Sequence, residues 1–104
     1  MTKDQQTEIE AAAFRGLIAH LQSRTDVQNI DLMNLAGFCR NCLAKWYSAE
    51  AKNQGLEFDY NKGQEAVYGM SIDQWKSSFQ ARASEEQMAQ FETGKDKHAK
   101  ITGY

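Results

Sequence analysis

The chain has 104 residues, which fits one domain of ordinary size, and its 12 Lys+Arg and 14 Asp+Glu leave a net charge of −2. This balance, without a basic cluster, argues against nucleic-acid binding, and the short apolar runs argue against a membrane span. The N-terminus lacks the apolar segment of a signal peptide, and two cysteines are too few for a disulfide scaffold, so we expect a cytoplasmic protein.

Composition favours helices along the whole chain, because proline is absent and valine is scarce. The first predicted helix begins near Thr7, where Thr7 and Glu10 fit a capping box, and it fades over residues 23–26. Gly16 lies inside this helix at a cost of about 1 kcal/mol relative to alanine, which a close neighbouring backbone would explain. The apolar stripe of the helix consists of Phe14, Leu17, Ile18 and Leu21.

A second long helix is predicted from Asn29 or Asp31, either of which can serve as its N-cap, to about Asn53. Gly55 follows as a natural C-terminal stop. At 100° per residue, one narrow arc of this helix collects several apolar positions and one cysteine. These are Leu32, Leu35, Ala36, Cys39, Leu43 and Trp46.

Three short helices follow in the second half of the chain. The first is predicted over Tyr60–Tyr68, the second starts at Ser71 within a capping box, and the third repeats that device at Ser84 and stops at Gly94. Residues 95–104 are polar, and we expect them to form a loosely ordered tail.

The predicted fold class is therefore all-α, with residues 1–104 forming one domain. Two long and three short helices make an irregular orthogonal array of about five helices rather than a regular bundle. The short helices are too brief to be stable alone, so tertiary packing must hold them.

Cys39 and Cys42 form a Cys-x-x-Cys pair within the second predicted helix. At about two turns inside that helix, Cys39 gains little of the N-terminal dipole that makes such thiols reactive. A structural zinc site needs four ligands, and His20 is the best further candidate, with His98 in the tail. We therefore expect both cysteines to pack in the core, with a metal site (zinc or another metal) or a thiol-redox site as the alternative.

His20 borders the stripe of the first helix, and a polar cluster comes shortly after it. We interpret the cluster as helix-capping chemistry, because it lacks the spacing of a calcium loop and no catalytic triad is in view. A small enzyme with its site beside His20 is a further alternative, although we lean against enzymatic activity. The cluster comprises Asp26, Asn29, Asp31 and Asn34.

Aromatic residues are numerous for so small a chain, and we expect some of them to line an interface or groove. Because twofold dimers are the commonest assemblies, we expect a homo-oligomer, with a dimer favoured. The candidate interface residues are Trp46, Tyr47, Tyr68 and Trp75.

Three segments of the chain together resemble a known family. They are residues 26–33, residues 37–43 and residues 67–70, the last followed by Trp75-Lys76. The chain is similar over about residues 13–91 to short bacterial proteins grouped as domain of unknown function 1244. The resemblance implies a small all-helical domain but no activity, so no catalytic residue follows from it. Our leading hypothesis is a helical protein that acts through self-association or a protein partner.

Overall fold

The computed structural model describes residues 1–101, and within that range every regular element is helical. The all-α prediction is confirmed, and residues 1–101 form six α-helices instead of about five. They are α1 (Lys3–Ser23), α2 (Asn29–Ala36), α3 (Arg40–Asn53), α4 (Tyr60–Tyr68), α5 (Ile72–Phe79) and α6 (Glu85–Thr93), followed by a 3-10 turn at Lys95–Lys97.

The predicted second helix is two helices, because the chain turns at Gly37. This glycine ends α2 in the left-handed conformation, with φ 77°, and its N–H donates to the carbonyl of Met33. The turn breaks the predicted apolar arc, so Leu35 is 85% exposed while Cys39 and Leu43 remain buried. The N-cap of α2 is Gln28 rather than Asn29 or Asp31, and its N–H donates to the Asp31 carboxylate at 3.0 Å.

The first helix begins one turn earlier than predicted. Thr2 is its N-cap: the Thr2 hydroxyl accepts from the Gln5 N–H at 3.1 Å, and the Gln5 side chain accepts from the Thr2 N–H at 2.8 Å. Thr7 lies inside the helix and donates to the carbonyl of Lys3. The expected close neighbour of Gly16 is absent from residues 1–101: apart from the adjacent residues and the backbone of its own helix, no atom lies within 4 Å of the position of a Cβ there.

The three short helices match their predicted starts. Tyr60–Tyr68 is confirmed as α4 and ends at Gly69, which has φ 75°. Ser71 caps α5, and its hydroxyl accepts from the Gln74 N–H. Ser84 and Gln87 form a full capping box at the start of α6.

The core lies where α4 packs against α1, α3 and α5. A backbone approach at Gly63 of α4 sets this packing, since a Cβ there would lie 2.5 Å from the Ser48 hydroxyl and 2.8 Å from the Ala44 carbonyl oxygen. The buried cluster comprises Ile18, Leu21, Leu43, Ala44, Val67, Tyr68 and Trp75. None of the helices within residues 1–101 is both long and apolar enough to cross a membrane.

The chain after α6 returns to the turn at Gly37. The Ala99 N–H donates to the Gly37 carbonyl at 2.7 Å, and the His98 ring lies 4.6 Å from the Phe91 ring. His98, which belongs to the segment expected to form a loosely ordered tail, therefore packs on Phe91 of α6. Of the predicted tail at 95–104, residues 102–104 lie outside the described residues.

Candidate functional site

Arg40, the first residue of α3, is the largest fully buried side chain and joins three helix ends. Its guanidinium donates to the carbonyls of Arg24 at 2.9 Å and Leu21 at 3.4 Å, and to the Val27 carbonyl at 2.8 Å. The last carbonyls of a helix have no intrahelical partners and carry partial negative charge, so a buried cation stabilises the end of α1. Desolvation lowers the pKa of Arg40, yet guanidinium groups stay protonated in proteins.

A chain of polar side chains extends from Arg40 into the core. Arg40 donates to Asn29 at 3.1 Å, Asn29 donates to the Tyr68 hydroxyl at 2.9 Å, and that hydroxyl donates to Asn41 at 2.8 Å. Burial raises the pKa of Tyr68 well above its usual value. Each of these side chains makes at least one hydrogen bond, although the buried Nε of Arg40 has no partner among the described residues. The network therefore links the start of α2, the start of α3 and the end of α4.

The cysteine pair lies at the N-terminus of α3, not in the middle of a helix as predicted. Cys39 is the N-cap and Cys42 follows in the first turn, because the turn at Gly37 restarts the helix there. Both side chains are buried, at 6% and 7% exposed, and both are free thiols. Desolvation raises the pKa of Cys39, although the N–H groups of Asn41 and Cys42 act in the opposite direction. The position resembles that of a reactive dithiol, whereas the burial is typical of packing.

His20, the proposed third metal ligand, is exposed on α1. Within residues 1–101, no group of three or more His, Cys, Asp and Glu residues could hold a metal ion. The structure therefore brings Cys39 and Cys42 together but does not add His20 to them. Met33, which the sequence analysis did not consider, does approach the pair: the Cys42 sulfur lies 3.9 Å from the Met33 sulfur.

The polar cluster before α3 has structural partners. Asp26 receives two hydrogen bonds of 2.9 Å from Arg24, which lower its pKa. Asp31 caps α2 and accepts from the Gln87 amide at 2.9 Å, and Asn34 donates to the Gln87 carbonyl at 3.1 Å. These contacts join α2 to the loops and to α6, in keeping with the capping interpretation.

An apolar groove of about 630 Å³ opens between α1 and α3. Its floor is an aromatic cluster in which the Tyr47 ring lies 6.5 Å from Phe14 and 5.7 Å from Phe58. On the α1 side, Thr7, Glu10, Ala11 and Phe14 recur at helical spacing. Glu10 of α1 and Glu50 of α3 lie on the two flanks of the groove. The lining residues are Thr7, Glu10, Ala11, Phe14, Trp46, Tyr47, Glu50, Ala51, Gln54, Leu56 and Phe58.

The four predicted interface aromatics divide between this groove and the core. Trp46 and Tyr47 lie in the groove, 42% and 40% exposed, whereas Tyr68 and Trp75 are each 2% exposed and cannot form a surface. Leu56 and Phe58, in the loop between α3 and α4, also line the groove and were not among the predicted interface residues. Two large apolar residues in a short loop were the available signal, because such a loop needs a surface to cover.

Comparison with known proteins gives one family and no activity. No curated protein matches the chain at a significant level. The family model described as "Protein of unknown function (DUF1244)" matches residues 27–93, from the loop before α2 to the end of α6. This match covers well over half of the chain and confirms the resemblance seen in the sequence. The chain therefore belongs to the DUF1244 family of proteins of unknown function.

Proposed function

We propose that this protein is a small helical self-association module, and that a second copy occupies the groove between α1 and α3. The observation that carries the proposal is the open aromatic groove beside the N-terminal half of α1, which no other element within residues 1–101 buries. Residues 1–10 are all exposed, and a free helical end of this length gains little stability by itself.

Charge favours the first turns of α1 from a second copy as the occupant. The groove is flanked by Glu10 and Glu50, whereas the start of α1 carries Lys3 and the positive end of the helix dipole. Asp4 and Glu8 also lie in this segment, but at a quarter turn or more around the helix from Lys3. Lys3, Thr7 and Glu10 share one face of α1, since they are four and three residues apart. Antiparallel pairing of two α1 helices across a twofold axis then places Lys3 of each copy near Glu10 of the other.

The size of the surface also suits a dimer. Residues 1–10 and the groove lining together comprise nineteen different residues. A standard protein interface uses about 20–30 residues on each side. Because a twofold interface uses the same patch on both copies, one groove and one helix end per chain are sufficient.

Two sets of variants test the proposal by sedimentation velocity at micromolar concentration. Trp46→Glu should give monomer, while Leu35→Glu, at an exposed position outside the groove, should leave the dimer intact. Lys3→Glu and Glu10→Lys should each weaken association, and the double variant should restore it, because exchanging the charges recreates the pair. Lys62→Glu is the control for charge reversal, and circular dichroism checks that each variant is folded.

A parent protein that stays monomeric would overturn the proposal, as would a Trp46→Glu variant that dimerises like Leu35→Glu. If the parent protein is monomeric and its groove binds an apolar dye, the groove is a binding site for a molecule other than a second copy of the chain. Failure of the double charge variant to restore the dimer would contradict the antiparallel arrangement of α1.

A further inference from the structure

Three sulfur-bearing side chains lie where α2 ends and α3 begins. The Cys42 sulfur lies 3.9 Å from the Met33 sulfur, and Cys39 and Cys42 occupy the N-cap and the third position of α3, which are neighbours across the first turn of a helix. Both cysteines are at least nine-tenths buried, and Met33 is partly buried. The turn at Gly37 creates this arrangement, because it folds the last turn of α2 back towards the first turn of α3.

The composition of this cluster selects a particular metal. Thiolate and thioether sulfur are soft ligands, which favour copper(I), zinc and iron–sulfur clusters. A structural zinc site uses four ligands, and a cubane or rhombic cluster uses four cysteines. Two thiolates and one thioether instead match the two- or three-coordinate geometry that copper(I) accepts. We propose that Cys39, Cys42 and Met33 bind one copper(I) ion.

The residues around the cluster also include groups that stabilise the negative charge it carries when the metal is bound. Binding releases the two thiol protons to the buffer and leaves two thiolates and one monovalent cation, a net charge of −1. Arg40 lies next in the chain to Cys39, is fully buried, and makes no ion pair with a carboxylate within residues 1–101. Burial of Cys39 opposes a thiolate there and raises its pKa, whereas the N–H groups of Cys42 and Asn41 at the start of α3 interact favourably with a negative Cys39 sulfur.

Anaerobic competition with a chromophoric copper(I) chelator, bicinchoninate, tests the site on fully reduced protein. The parent should withdraw one copper(I) ion per chain, and Cys39→Ser/Cys42→Ser should withdraw none. Met33→Leu keeps the volume and removes the sulfur. Because loss of even outer partners of a metal site typically weakens binding about tenfold or more, Met33→Leu should raise the dissociation constant at least that much.

Met88→Leu is the matched control, since Met88 lies 57% exposed on α6 and should leave copper binding unchanged. Equal binding by Met33→Leu and Met88→Leu would overturn the three-sulfur site, and no withdrawal by the parent would overturn the proposal altogether. Zinc held against a matched chelator as tightly as copper(I) would contradict the choice of metal. If the double serine variant does not fold, the comparison of the two leucine variants decides the question.

Discussion

The guanidinium of Arg40 lies over the ring of Trp75, with its central carbon 4.9 Å from the ring centroid. The cation thus has the aromatic face of α5 on one side and the carbonyls at the end of α1 around its edge. Arg40 itself is the first residue of α3. One side chain therefore contacts three helices that share few direct contacts with one another among residues 1–101, so we expect the stability of the domain to depend on it.

Arg40→Ala should lower the free energy of unfolding by about 3–5 kcal/mol, a loss typical of removing one partner from a buried charged network. Arg40→Lys keeps the charge but cannot reach both groups of carbonyls, so it should lie between the parent and the alanine variant. Urea unfolding followed by circular dichroism measures both. Arg82→Ala, at an exposed position, is the control. An Arg40→Ala variant as stable as Arg82→Ala would show that the carbonyl network contributes little.

The raised pKa of Tyr68 predicts how stability changes at alkaline pH. The unfolded tyrosine ionises near pH 10, while burial keeps the folded one protonated to higher pH. The folded state then binds more protons than the unfolded state above about pH 10, so stability is complete below that pH and falls as pH rises. One such group gives a slope of at most about 1.4 kcal/mol per pH unit.

Urea midpoints between pH 8.5 and pH 11 check this dependence. Tyr68→Phe should be less stable than the parent at pH 8.5 by about 1–3 kcal/mol, because Asn29 and Asn41 lose their shared partner. Its stability should then fall less steeply with pH than that of the parent. Tyr47→Phe retains Tyr68 and should keep the parent's slope. Parallel curves for Tyr68→Phe and the parent would contradict the assignment.

Two mid-helix glycines should respond to alanine in opposite directions. Gly16→Ala should raise the free energy of unfolding by about 0.5–1 kcal/mol, because alanine is the better helix former and the space around Gly16 is open. Gly63→Ala should lower it, since the new methyl group would meet the Ala44 carbonyl and force α3 and α4 apart. Thermal unfolding of the two variants side by side checks the prediction. A Gly63→Ala variant that is more stable than the parent would mean that α3 and α4 leave room for a methyl group at this contact.

The turn at Gly37 should tolerate alanine less well than the turn at Gly55. Both glycines have positive φ, 77° and 81°, so each alanine variant carries a backbone cost of about 1–2 kcal/mol. At Gly37 the methyl group would also overlap the Lys97 carbonyl, while nothing lies near it at Gly55. Gly37→Ala should therefore lose more stability and should expose residues 95–101 to faster proteolysis. Equal losses of stability and equal rates of proteolysis in the two variants would show that the packing of residues 95–101 against Gly37 contributes little.

The sequence predicted those elements whose signals are local. Ser71 and Ser84 predict the starts of α5 and α6, because a capping hydroxyl bonds to a backbone N–H within the same turn. The break at Gly37 was missed because the apolar spacing continues across it, and periodicity cannot show a change of helix axis. Interpreting Gly37 as a C-terminal helix stop, like Gly55, would have predicted the break.

The candidate sites were harder to predict, because their residues meet through tertiary packing. Arg40 and Trp75 are 35 positions apart, and nothing in the sequence marks them as partners. Cys39 and Cys42 were visible as a pair, but their position at a helix start and the approach of Met33 both depend on the turn. Trp46 was predicted at an interface, whereas the groove beside it also requires Phe58 from the following loop.

The molar mass of the unmodified protein in solution tests the central claim of self-association most directly. Multi-angle light scattering of reduced, tag-free protein, over a concentration series through the micromolar range, measures it without assuming a shape. We predict a mass near twice the 11.8 kDa of one chain, falling towards one chain on dilution. A mass that stays at 11.8 kDa across the whole series would contradict the account.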